Sequence, residues 1–127
     1  MKLTQTTETP VTEVLTMSEK ELNSLPFGII RINALGDILY YNNAQAVLAH
    51  REKLTTIGLN FFRDVAPCTD VKNFHGRFND FVQLPQSKIE PFSFFFRFAW
   101  ESKPVKVNIT FVRRAGVTNE FYIVVQM

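Results

Sequence analysis

The only cysteine of the chain, Cys68, lies within residues 60–70, whose sequence is NFFRDVAPCTD. A thiol can be acylated or can bind a metal, although a lone cysteine is most often a small hydrophobic side chain without chemistry of its own. Pro67 fixes its own φ angle and disfavours the helical conformation at Ala66. The chain is therefore predicted to turn just before Cys68 and to present the sulfur from a loop.

The sequence gives little support for a metal ligand or a catalytic nucleophile at Cys68. His50 and His75 are the only histidines, and neither stands at metal-ligand spacing from Cys68, so no metal site is predicted. A cysteine hydrolase needs a base and an oxyanion site beside the thiol, and His75 is the only candidate for a base near Cys68 in the sequence. Nothing else completes that set, so the chain is not predicted to be an enzyme.

The residues before the cysteine segment predict a hairpin followed by a helix. Residues 28–33 and 38–41 are β-branched and aromatic runs separated by a short turn. Residues 42–51 lack glycine and proline and favour a helix, on which Gln45 and Ala49 share one face at a spacing of four. Tyr41 stands where the second strand meets this helix. Two short helical turns are expected next, one of which carries Cys68.

The residues after the cysteine segment predict one more helix and three strands. Residues 73–84 form an amphipathic pattern, with phenylalanines at helical spacing that are expected in the core. Strict alternation over residues 91–100 predicts a strand, and residues 105–111 and 121–125 predict two more. The alternation in the first of these strands places one set of aromatic residues on a single face: Phe92, Phe94, Phe96, Phe98 and Trp100. The resulting class is α+β, a five-stranded antiparallel sheet with short helices over one face.

Length and composition indicate one domain, and its charges do not indicate a nucleic-acid or membrane partner. The chain has 127 residues, with 14 basic and 12 acidic side chains and a net charge of +2. No charge pattern indicates binding to nucleic acid or to an anionic membrane. There is no signal-peptide pattern and no run of the ~20 apolar residues that a membrane span needs, and a single cysteine fits a reducing compartment. We expect a cytoplasmic protein.

The N-terminal region is predicted to be an arm and a cap. Residues 1–16 are polar and threonine-rich and are expected to form a mobile arm. Ser18 and Glu21 have the spacing of a capping box, which predicts a short helix that ends before Pro26 and presses Leu22 and Leu25 onto the domain. The division is therefore residues 1–26 for the arm and cap and residues 27–127 for the core.

Three segments carry a resemblance to a known family. The cysteine segment NFFRDVAPCTD, the dipeptide Phe27-Gly28 and the run GDILYYN at residues 36–42 together resemble the photoactive yellow proteins, blue-light receptors with a PAS fold. The resemblance extends from about Leu22 to about Val125 with the order of the motifs kept. It implies that 4-hydroxycinnamic acid is held as a thioester on Cys68.

The resemblance also implies the roles of other residues. Tyr41 and Gln45 would donate hydrogen bonds to the phenolate of the chromophore, and Arg51 would cover its ring. The remaining implied pocket and segment positions are Ile30, Phe61, Val65, Ala66, Pro67, Thr69, Phe96, Phe98, Trp100 and Val125. From the sequence alone, each apolar member of this set is equally an ordinary core residue.

Three positions depart from the family pattern. Gln45 replaces a glutamate, Ala49 replaces a threonine that supports the tyrosine hydroxyl, and Trp100 replaces a methionine near the ring. These changes are expected to alter proton transfer, colour and kinetics rather than chromophore attachment, because none of them lies in the cysteine segment.

The predicted function is a blue-light photoreceptor in which isomerisation of the chromophore releases the N-terminal cap. The expected partner is a downstream signalling protein of unknown identity, with neither nucleic acid nor membrane bound, and the expected state is a monomer or weak dimer. The alternative is a light-independent PAS module that binds another ligand or a partner protein, because such a domain could retain the same cysteine segment.

Overall fold

The computed structural model describes residues 11–127, which form short helices around one sheet. The strands are β1 (Gly28–Ile32), β2 (Ile38–Tyr41), β3 (Phe92–Phe96), β4 (Val105–Val112) and β5 (Phe121–Gln126). The α-helices are α1 (Glu19–Asn23), α2 (Asn43–Ala49) and α3 (Arg77–Gln83). Segments of 3-10 helix span Val11–Thr16, Lys53–Thr55 and Pro67–Thr69, and π-helical turns span Phe61–Val65 and Lys72–Gly76. No helix within residues 11–127 is long and apolar enough to cross a membrane.

The five strands pair in the order β2-β1-β5-β4-β3, and every pair is antiparallel. This arrangement confirms the predicted α+β class and the predicted sheet. The predicted extent of the third strand is wrong, because β3 ends at Phe96 rather than at residue 100. Phe96 pairs with Val105, so the next residue, Arg97, would face Pro104, which has no N–H to donate to the ladder.

The two faces of the sheet are covered by different parts of the chain. One face carries the larger core, where the π-helical turns and α3 pack on residues such as Ile123 and Phe111. The N-terminal residues cover the other face, with Val14 and Leu22 fully buried against β1 and β5. Period-two alternation produces this division, because successive residues of a strand point to opposite faces.

The capping box predicted for the cap is present. The Ser18 hydroxyl accepts from the Glu21 N–H, and the Glu21 carboxylate accepts from the Ser18 N–H. The predicted mobile arm is wrong over residues 11–16, which form a 3-10 helix that buries Val14 because this side chain completes the apolar cluster under the cap. Residues 1–10 of that arm lie outside the described residues, and the division at residue 26 stays a prediction.

The helix predicted over residues 73–84 is divided in two. A π-helical turn at Lys72–Gly76 precedes α3, with Gly76 at the junction. Phe74, Phe78 and Phe81 are fully buried, as their spacing predicted. The wider π turn adds a residue without changing which side chains face the core.

Candidate functional site

A cavity of about 460 Å³ lies beside the cysteine, between α2, the cysteine segment and the end of β3. Its size falls within the range of ~300–1,000 Å³ that is typical of small-molecule sites. The residues that line it are Tyr41, Gln45, Ala49, Arg51, Phe61, Asp64, Val65, Ala66, Pro67, Cys68, Phe96, Arg97, Phe98 and Ala99. The structure therefore places the sole thiol and several polar side chains around one space.

Most of the predicted site residues line this cavity, and Ile30, Thr69 and Trp100 do not. Ile30 is fully buried in the core, where it pairs with Tyr41 across the hairpin. Thr69 turns its hydroxyl back to donate to the Ala66 carbonyl at 2.6 Å. Val125, the other implied pocket position, lines a separate surface groove instead.

The cysteine segment is folded by local hydrogen bonds. The Asn60 side chain accepts from the N–H groups of Phe62 and Arg63, which starts the π-helical turn. At its end Ala66 has φ −136° and ψ 66°, so the helix stops before Pro67, as predicted. Cys68 then lies in the single 3-10 turn Pro67–Thr69, where its free thiol is partly buried and borders the cavity.

Two polar side chains from the hairpin and α2 line the same cavity. Tyr41 ends β2 and Gln45 lies in the first turn of α2, and both are almost fully buried. Burial raises the pKa of Tyr41, while the neighbouring Gln45 side chain and the positive charge of Arg51 act in the opposite direction. A Tyr41 hydroxyl that stays protonated can act as a hydrogen-bond donor to a ligand.

Asn42 connects this part of the cavity wall to the cap. Its side-chain NH₂ donates to the carbonyls of Leu22, at 2.8 Å, and Phe27, at 3.1 Å. Its side-chain oxygen accepts from the N–H groups of Ile29, at 2.9 Å, and Gln45, at 3.0 Å. The buried amide therefore has each of its four hydrogen bonds made, two toward the N-terminal side and two toward the core.

Arg51 enters the cavity wall just after α2 ends. His50 adopts a left-handed conformation, with φ 54°, and the Arg51 N–H donates to the Ala46 carbonyl at 3.0 Å. Within the described residues the buried Nε of Arg51 has no hydrogen-bond partner. An unpaired buried donor favours a ligand that brings an acceptor.

Sequence reasoning missed three members of the wall: Asp64, Arg97 and Ala99. Ala49, which the sequence placed on one face of α2 with Gln45, also lines the wall. Arg97 lies just after the end of β3, where the predicted alternation no longer holds. The pKa of the Asp64 carboxyl is lowered by its hydrogen bond with Arg63 and by the Asn60 N–H, so the cavity wall contains one carboxylate and two arginines.

Trp100 is placed outside the cavity, which corrects the inward face predicted for it. Its indole N–H donates to the Leu48 carbonyl at 2.8 Å, and 41% of the residue is exposed. The segment after β3 turns at Phe98, whose carbonyl accepts from the Glu101 N–H, and this turn carries Trp100 away from the sheet. Contact between Trp100 and the chromophore ring is not indicated by this geometry.

His75 does not supply a base for Cys68. Its Nδ1 lies 2.8 Å from a carboxylate oxygen of Asp70, and its ring stacks on Phe62 with centroids 3.8 Å apart. It is not among the residues that line the cavity. Across residues 11–127 no group of three or more histidine, cysteine, aspartate or glutamate side chains is arranged to hold a metal ion.

The sheet order, with short helices packed on the sheet, defines a PAS-type domain. A PAS domain from an HTR-like protein of Haloarcula marismortui shares this fold, with a TM-score of 0.66 at 13% identity over 91% of this chain and 97% of that chain. The photoactive yellow protein domain of the sensor histidine kinase Ppr from Rhodospirillum centenum is more similar. Its TM-score is 0.77 at 35% identity, covering 91% of this chain and 98% of that domain.

The sequence comparison identifies the family. The chain is 37% identical over 110 residues to the photoactive yellow protein of Halochromatium salexigens, which covers 87% of this chain and 85% of the relative. No established family model matches the chain. The chain belongs to the photoactive yellow protein family and is a photoreceptor or PAS sensor of that type. Domains of this class are generally signalling modules rather than enzymes.

Proposed function

We propose that the protein is a blue-light photoreceptor that carries a 4-hydroxycinnamoyl group as a thioester on Cys68 and signals by trans/cis isomerisation and release of the N-terminal cap. The observation that supports this most directly is that the sole thiol and the donors Tyr41, Gln45 and Arg51 line one cavity. Family membership adds to it.

The residues present fit such a group at both of its ends. Cys68 is free and partly buried, so its sulfur can form the thioester bond. A tyrosine hydroxyl, an amide and a guanidinium are the other polar groups suited to an anionic oxygen, and the buried Nε of Arg51 has no protein partner among the described residues. The remaining wall is largely apolar, with Phe61, Phe96 and Phe98, which suits an aromatic ring.

When bound, the group would supply blue-light absorption and a double bond that can isomerise. A phenol has a pKa of about 10, and burial raises it further unless donors face the oxygen. Tyr41 and Gln45 are each able to donate one charge-assisted hydrogen bond, worth roughly 1.5–3 kcal/mol. Together with the positive charge of Arg51, these two bonds offset a desolvation cost of several kcal/mol that neither would offset alone.

The route to the cap runs through Asn42. Gln45 lies on the side of α2 that faces the cavity. Its backbone N–H donates to the same Asn42 oxygen that accepts from the Ile29 N–H in β1. The other end of that amide holds the Leu22 carbonyl in α1. When Tyr41 and Gln45 lose their acceptor in the cavity, a shift at the start of α2 alters Asn42 and weakens its hold on the cap.

The decisive experiment is reconstitution of colour. Apo protein is mixed with the anhydride of 4-hydroxycinnamic acid, so that the Cys68 sulfur attacks the carbonyl and the second acyl unit leaves as a carboxylate. A visible band is expected that is absent from Cys68→Ala and that bleaches reversibly in blue light. Cys68→Ser is the matched control, since it keeps the size of the side chain but not the thiol.

Failure of the band to form would remove the photoreceptor proposal and leave a PAS sensor for another ligand. The proposal also includes a cytoplasmic location and a downstream signalling protein as the partner, with a monomer or weak dimer in the dark. Light-dependent protease sensitivity of residues 11–26 in the coloured protein would test the cap step separately. Equal cleavage in dark and light would contradict it.

A further inference from the structure

Gly28, at the start of β1, lies directly against the side chain of Gln45. A β-carbon built on Gly28 would overlap Oε1 of Gln45 and would lie 3.0 Å from Cδ and 3.3 Å from Cβ of that side chain. Gly28 does not have a positive φ angle, so its backbone conformation does not itself require glycine. What requires glycine here is the space occupied by the Gln45 amide.

The side chain of Asn42 fixes this close approach. The Asn42 oxygen accepts from the N–H of Ile29, the residue after Gly28, and from the N–H of Gln45. One buried amide therefore holds β1 and α2 together next to the point of contact. Gln45 is 1% exposed and lines the cavity, so filling the space at Gly28 would displace its side chain toward the cavity.

The contact also distinguishes the two ends of the amide. A glycine carries a hydrogen where other residues carry the β-carbon, so an α-hydrogen of Gly28 points toward Oε1. A C–H group is a weak donor, which favours an oxygen over an NH₂ group at this place. Among the described residues the buried Oε1 has no other hydrogen-bond partner. Burial raises the pKa of Tyr41, and the Gln45 side chain acts against that rise, as a nearby N–H donor does.

We propose that Gly28 is a positioning residue that holds Oε1 of Gln45 against β1 and thereby presents the amide NH₂ of Gln45 to the cavity. The wall near Tyr41 then offers three donors, from the tyrosine hydroxyl, the amide and the Arg51 guanidinium. Such a wall selects a ligand with an anionic or acceptor oxygen and disfavours one that brings a donor. The ligand class rests on the proposed function, whereas the orientation of Gln45 does not.

The first test uses the apo protein. In its NMR spectrum the Gln45 side-chain NH₂ should show stronger cross-peaks to the Tyr41 ring than to the α-protons of Gly28, and the reverse order would overturn the proposal. Gly28→Ala should shift the Gln45 side-chain amide resonances. The matched control is Gly76→Ala, because its added β-carbon would come no closer than 3.4 Å to Lys72. Unchanged Gln45 resonances in Gly28→Ala would also overturn it.

The second test uses the coloured protein and a double variant. Gly28→Ala should raise the pKa of the bound phenol by about one to two units, as expected for the loss of one charge-assisted hydrogen bond. In a Gln45→Ala background the same change should add no further shift. If Gly28→Ala alone does not fold, Gln45→Ala should rescue it, and absence of rescue contradicts the proposal. If the protein acquires no visible band, only the proposed function fails. If Gly28→Ala is coloured but the pKa of its bound phenol is unshifted, only this inference is refuted.

Discussion

The indole ring of Trp100 stacks on the imidazole ring of His50, with centroids 4.5 Å apart and planes at 15°. The same indole donates to the Leu48 carbonyl, so two contacts attach the segment after β3 to the C-terminal end of α2. Phe98 also stacks on Trp100, with ring centroids 5.5 Å apart. Phe98 in turn lines the cavity. Trp100 thus supports the cavity wall from outside.

Substitution of Trp100 should change the stability of this segment without changing colour. Trp100→Phe keeps a ring for stacking but loses the hydrogen bond, which should lower the free energy of unfolding by about 0.5–1.5 kcal/mol. Trp100→Met loses both contacts and should also change the dark recovery rate. Denaturant unfolding and flash photolysis measure these effects. The control is Val47→Ala, a change at an exposed residue of α2. A shifted absorption maximum in Trp100→Phe would mean that the indole touches the chromophore.

Tyr41→Phe removes one proposed donor to the phenolate. Loss of one charge-assisted bond should raise the ground-state pKa of the chromophore by roughly one to two units, at about 1.4 kcal/mol per unit. Titration of the absorption band against pH gives this value directly. An unchanged pKa would mean that the phenolate is held by other groups.

The apo protein should lose stability at alkaline pH through Tyr41. Burial raises the pKa of Tyr41 above its ordinary value of 10.0, so the folded state favours the protonated hydroxyl. This contribution is fully present below pH 10 and is lost as the pH rises through the higher folded-state pKa. The melting temperature, measured from about pH 9 to 12, should therefore fall more steeply with rising pH for wild type than for Tyr41→Phe. Parallel curves would show that other groups control the alkaline transition.

Gln45→Glu should shift the absorption maximum to shorter wavelength. At this buried position desolvation raises the pKa of a carboxyl, so the acid stays protonated and donates more strongly than an amide. An amide has no proton to surrender at accessible pH, whereas the acid has one, and its loss would bury an anion. Time-resolved infrared spectra of Gln45→Glu should therefore show loss of a protonated-carboxyl band. The same band in wild type would assign proton transfer to another acid.

Asn42→Asp should loosen the cap selectively. Its oxygens can still accept from Ile29 and Gln45, but a carboxylate has no donor for the carbonyls of Leu22 and Phe27, and even a protonated acid has only one. We expect a loss of roughly 1–3 kcal/mol in unfolding free energy and faster hydrogen exchange in α1. Asn43→Asp, an exposed neighbour, is the control. Unaltered exchange in α1 would show that the apolar contacts alone hold the cap.

Features that depend on neighbouring residues were predictable from the sequence. Ser18 and Glu21 form their capping box within one turn, and Pro67 restricts Ala66 directly, so both the cap helix and the turn at Cys68 followed from local rules. Strand alternation likewise predicted the sheet, because one face of each strand must reach the core.

Features set by partners distant in sequence were not predictable. β3 stops at Phe96 because Pro104 stands opposite the next residue, and that opposition exists only once the register with β4 is known. Trp100 leaves the predicted face for the same reason. The contact between Gly28 and Gln45 joins a strand to a helix, and no local pattern in either segment indicates it.

The position of Asn42 between the cap and the cavity has a thermodynamic consequence. Coupling between two binding equilibria is reciprocal, so a factor that acts in one direction acts equally in the other. If protonation of the bound phenol weakens the hold on the cap, then a protein that captures the freed cap must raise the pKa of that phenol by the corresponding amount. The visible spectrum of the coloured protein, recorded at fixed pH, would then report binding of its signalling partner without any label.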